Sequence, residues 1–64
     1  MNRNQKIAMA KKDLQVKSLG AILDKHPSYI SSVLSGKYRT KKLREEIAKI
    51  LEEPEDHLWP DDPL

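Results

Sequence analysis

The chain of 64 residues has no cysteine, which excludes a disulfide framework and a thiolate zinc site. Apolar packing must hold the fold alone. No internal repeat, Gly/Ser linker or low-complexity tract interrupts the sequence. No apolar run approaches the length that spans a bilayer, and the N-terminal stretch MNRNQKIAMAKK lacks the continuous apolar segment of a secretory signal. The absence of period-two alternation argues against strands. His26 and His57 are the only histidines, and neither sits in a Glu-x-x-His or His-x-x-x-His spacing. No nucleophile–base pair or phosphate loop is present, so no metal, cofactor or catalytic residue is expected. These absences predict a soluble, cytoplasmic, non-enzymatic single domain over residues 1–64 with a small core, since a chain of this size buries only about 60% of its unfolded surface.

What is present is charge, unevenly placed. Residues 1–42 carry ten Lys/Arg against Asp13 and Asp24, a net of +8. Residues 43–64 carry Arg44 and Lys49 against eight acids, a net of −6. The basic front attracts polyanions, because each neutralised phosphate releases condensed counterions.

Apolar residues recur with helical period throughout. Ile7, Ala10 and Leu14 predict a first helix over residues 4–14, and Leu19, Ile22 and Leu23 a second from Lys17 or Ser18 to Lys25. Pro27 suits the first turn of a third helix, where its missing N–H costs nothing, and Gly36 suits its left-handed end. On that helix Ser28, Ser31, Ser32 and Ser35 share one face while Ile30, Val33 and Leu34 occupy the other. Thr40 is positioned to cap a fourth helix carrying Leu43, Ile47, Ile50 and Leu51, which ends near Glu52. Pro54, Glu55 and Asp56 start a final turn that brings back Leu58 and Trp59, the latter a core anchor under the first helix. The expected class is all-α, with four helices and a terminal turn or fifth helix.

The segment LGAILDKHPSYISSVLSG, residues 19–36, resembles the helix-turn-helix of the lambda-repressor-like phage and bacterial regulators. Gly20 stands where the two helices cross, and Leu19, Leu23, Ile30 and Val33 where they lock. The segment EIAKILEEPEDHLWP, residues 46–60, is similar to the end of the Ner-type regulators of Mu-like phages. The chain departs from the family at the turn, with Asp24 where glycine is usual and Lys25 where an apolar residue is usual. Asp tolerates a left-handed backbone, so Asp24 can replace glycine there.

The resemblance implies a domain whose helix-turn-helix covers about residues 17–36 and whose third helix, about 27–35, enters the major groove of double-stranded DNA. Base contacts are then expected from Ser28, Tyr29, Ser31 and Ser32. Serine lets a helix approach closely but lacks the bidentate geometry of Arg, Asn or Gln. Lys41 and Lys42 occupy a helix first turn, where the macrodipole disfavours cations unless an anion binds there. They join Lys17, Ser18, His26, Lys37, Tyr38 and Arg39 as expected phosphate contacts. Lys6, Lys11 and Lys12 read as a solvated face, and Arg3 as part of a frayed terminal arm. Glu45, Glu46, Glu52 and Glu53 are expected on the side turned from DNA. The implied function is a sequence-specific transcriptional repressor of phage or prophage origin, binding as a monomer or as a homodimer on its operator. The competing reading is a helical protein-interaction module, antitoxin-like or anti-repressor, whose acidic tail docks on a basic partner.

Overall fold

The computed structural model describes residues 1–64 as five helices without strands. These are α1 (Arg3–Lys11), α2 (Val16–Leu23), α3 (Pro27–Ser35), α4 (Lys41–Leu51) and α5 (Glu55–Leu58). No helix is long and apolar enough to cross a membrane.

The core is one cluster, drawing Ala8 and Met9 from α1, Leu19 from α2, Ile30, Val33 and Leu34 from α3, Leu43, Ile47, Ala48 and Leu51 from α4, then Leu58 and Trp59. The apolar rows expected on α3 and α4 are the buried ones, except that Ile50 is only half-buried. The row expected on α1 is not. Ile7 and Ala10 face solvent, and Gln5, Ala8 and Met9 turn inward instead. The cause is a fully satisfied buried amide. Gln5 Nε2 donates to the carbonyls of Leu34 at 2.9 Å and Leu58 at 2.8 Å, and its Oε1 accepts from Asn2 N–H at 3.3 Å. A hydropathy pattern counts such a side chain as surface, whereas its hydrogen bonds make burial affordable. Ile22, expected in the core of α2, is likewise 57% exposed.

The C-terminal ends of α1 to α4 share one device. Asp13 (φ 54°), Asp24 (φ 56°), Gly36 (φ 89°) and Glu52 (φ 55°) adopt the left-handed conformation that stops a helix. At α1 this motif carries the bonds Asp13 N–H to Ala10 O and Leu14 N–H to Met9 O. It ends α1 three residues before the expected limit at residue 14. α2 starts at Val16, earlier than Lys17, and stops at Leu23, leaving Lys25 in the turn. Asp24 thus takes the backbone shape expected of it. Gly20 fills the tight crossing of α2 on that turn, since a Cβ there would sit 2.6 Å from the Lys25 carbonyl oxygen.

The N-terminus is docked rather than frayed, which corrects the expectation for Arg3, the first residue of α1. Asn2 caps the helix by accepting from Gln5 N–H at 2.8 Å. The amides of Asn2 and Asn4 donate to Leu58 O and His57 O across 56 and 53 residues of sequence. Trp59 is a core anchor, and its indole N–H donates to Val33 O of α3 at 3.2 Å.

Candidate nucleic-acid interface

α3 divides into two faces as its sequence spacing requires. Ile30, Val33 and Leu34 are buried, whereas Ser28, Ser31 and Ser35 are exposed and Ser32 is half-buried. The four hydroxyls are not equivalent. Ser35 Oγ donates to Ser32 O at 3.0 Å, and Ser28 Oγ lies 2.8 Å from His26 Nδ1. Ser31 and Ser32 hydroxyls have no partner within the fold, so they rotate freely toward any outside group.

His26 occupies the N-cap of α3 and accepts from Ser28 N–H at 3.1 Å through Nδ1. Its ring is exposed, so the cap leaves Nε2 open to solvent. Tyr29 points elsewhere. Its ring is half-buried against the core, its hydroxyl shares a hydrogen bond with Thr40 Oγ1 at 3.2 Å, and its ring lies 5.4 Å from that of Tyr38. Tyr29 therefore stands with the α3–α4 loop and apart from the serine face.

Thr40 holds the N-cap position of α4, but its hydroxyl is engaged by Tyr29 and makes no cap. The first-turn amides of α4 are left without a side-chain acceptor, and Lys41 and Lys42 beside them are exposed. That combination of open N–H groups, dipole and ammonium charge suits an anion. Lys42 shares a shallow cleft with Lys25, Tyr29 and Thr40, which ties the α2–α3 turn to this helix end. Glu46 lines the same cleft, so not every acid of α4 is remote from these cations. At the start of α2, Lys17 is exposed and Ser18 Oγ accepts from Gln15 N–H at 3.3 Å, which leaves the Ser18 hydroxyl hydrogen free to donate.

The loop after α3 differs. Lys37 Nζ lies 5.8 Å from the centre of the Tyr38 ring, and Tyr38 is 43% exposed. Arg39 is already engaged: its guanidinium donates to Pro63 O at 3.0 Å and pairs with Asp62 Oδ1 at 3.3 Å. The other Asp62 oxygen accepts from Arg44 at 2.7 Å. Arg44 is 1% exposed, donates also to Asp62 O at 2.6 Å, and lies over the Trp59 ring at 4.8 Å. Sequence reasoning missed this clamp. Arg44 and Asp62 entered it only as one base and one acid in a charge count, and no spacing rule links positions 18 residues apart.

The remaining cations fit a solvated face: Lys6 and Lys11 are exposed, and Lys12 pairs with Glu52. His57 faces Glu53 at 3.6 Å. No group of His, Cys, Asp or Glu side chains converges in a way that could hold a metal ion. Comparison of the chain with protein-family models, with curated proteins and with solved structures returns no match.

Proposed function

We propose that this domain is a lambda-repressor-like helix-turn-helix that binds double-stranded DNA in a sequence-specific manner, with α3 in the major groove. The observation that carries this reading is the outward serine face at the start of α3, together with the uncapped, lysine-bearing N-terminus of α4. Ser28, Ser31 and Ser32 meet base edges. The phosphates are met by Lys17 and Ser18 on one side and by Lys41, Lys42 and the first-turn amides of α4 on the other. His26 and Lys37 add to these, and Tyr29 and Tyr38, their rings in contact at a 35° tilt, reach the backbone beside the loop. Asp24 in the left-handed conformation and Gly20 at the crossing supply the compact turn such a pair of helices needs. In this reading the protein is a phage or prophage repressor in the cytoplasm, acting by occupying its operator without cofactor or catalysis, as monomer or dimer.

Titration into labelled duplexes over a range of salt concentrations tests it. The logarithm of affinity should fall linearly with the logarithm of salt, by about 0.9 per phosphate contacted. A protein-interaction module would bind duplex feebly at every salt concentration. Replacing Ser28 and Ser32 together by Glu should abolish duplex binding while the circular dichroism of the folded protein persists; retained binding would remove α3 from the groove.

A further inference from the structure

The bond between His26 and Ser28 has a consequence for which base the helix can read. Ser28 N–H has a direction set by the backbone, and it points at His26 Nδ1 from 3.1 Å. Nδ1 must therefore present its lone pair, which places the proton of the neutral imidazole on Nε2. The Ser28 hydroxyl, 2.8 Å from the same bare nitrogen, can then only donate to it. With its one hydrogen spent, exposed Ser28 Oγ turns nothing but lone pairs outward.

We propose that His26 is a specificity-positioning residue that converts Ser28 into a pure hydrogen-bond acceptor, so that Ser28 selects an exocyclic amino group at one base pair. In the major groove only adenine N6 and cytosine N4 offer such a donor, while guanine presents N7 and O6 and thymine presents O4 and a methyl group. An acceptor facing guanine or thymine leaves two lone-pair groups opposed. Ser31 provides the internal contrast: its hydroxyl is unbonded within the fold and can donate or accept, so it should discriminate little between these classes. The same arrangement leaves the Nε2–H of His26 as a donor for a neighbouring phosphate, so one imidazole serves both contacts. This rests on the DNA-binding reading above.

The test is a random-duplex selection followed by competition between duplexes that differ at a single base pair, run on the wild type, Ser28→Ala, His26→Ala and His26→Asn. The wild type should prefer adenine or cytosine over guanine and thymine by about three- to tenfold at one position, the scale of a single hydrogen bond. Ser28→Ala and His26→Ala should erase that preference. His26→Asn should keep it, because an Asn carboxamide oxygen at the N-cap can accept from the same two donors. A proton–nitrogen correlation spectrum of the free protein provides a readout without DNA, and should show neutral His26 protonated at Nε2. A Ser28-dependent preference for guanine or thymine would overturn the proposal. So would an unchanged preference in folded His26→Ala, a lost preference in folded His26→Asn, or a proton on Nδ1. Each of these outcomes bears on the base preference alone, whereas absence of duplex binding by the wild type at every salt concentration would overturn the parent reading as well.

Discussion

The two ends of α3 are held by different means. Its C-terminal end is gripped by distant parts of the chain: Trp59 donates to Val33 O, Gln5 donates to Leu34 O, and Asp62 packs so near Gly36 that an added Cβ would sit 2.9 Å from its carboxylate. Its N-terminal end takes its side-chain hydrogen bonds from nearer in sequence: His26, exposed to water, binds Ser28 two residues on, and Tyr29 shares a bond with Thr40 eleven residues on. The buried end fixes where the helix lies, and the exposed end keeps its polar groups available. A helix offered to a partner is best anchored from behind, since every long-range bond at the front would occupy a group that recognition needs.

The contrast can be broken most severely at the rear. Asp62→Ala leaves Arg44 charged and buried with only the backbone carbonyl of residue 62 and the Trp59 ring beside it, and should cost about 3 kcal/mol, the low end for breaking a buried pair because Asp62 is itself partly exposed. Chemical denaturation measures it. Gln5→Leu should cost about 2 kcal/mol in the same assay, as the carbonyls of Leu34 and Leu58 both lose a buried donor. At the front, His26→Ala removes only a cap and should cost about 1 kcal/mol. If His26→Ala destabilised more than Gln5→Leu, the distinction between the two ends would fail.

The smallest effect concerns the two sets of cations. Lys41→Ala should flatten the salt dependence of duplex binding by close to one phosphate's share. Arg39→Ala should flatten it less, because Asp62 already neutralises part of the Arg39 charge and must be displaced before a phosphate can bind. Equal changes for both would show that the Asp62 pair dissolves on binding without cost.

Some of this architecture was legible in advance. Ile30, Val33 and Leu34 against the serine row, and Leu43, Ile47 and Leu51 along α4, are ordinary amphipathic patterns, and they bury as written. Gly36 announces the end of α3 because glycine adopts a left-handed backbone without strain. Asp13 performs the same stop less legibly than a glycine would, so α1 ends before its expected limit, whereas α4 ends beside Glu52 as expected. Of the candidate interface, the exposure of Ser28 and Ser31 followed from spacing alone. Which hydroxyl is free, which cation is spent and where Tyr29 points did not, because each depends on a partner outside the helical repeat.

The sequence by itself determined the all-helical class, the approximate places of the four longer helices and the two faces of α3, since these follow from local periodicity and from residues that start or stop a helix. Tertiary structure alone decided that Gln5 and Arg44 go inside while Ile7 and Ile22 stay out, and that Arg39 belongs partly to Asp62. The reason is physical: burial of a polar or charged group is decided by the hydrogen bonds waiting for it, and here those come from residues 18 to 53 positions away, a distance no repeat along the chain encodes.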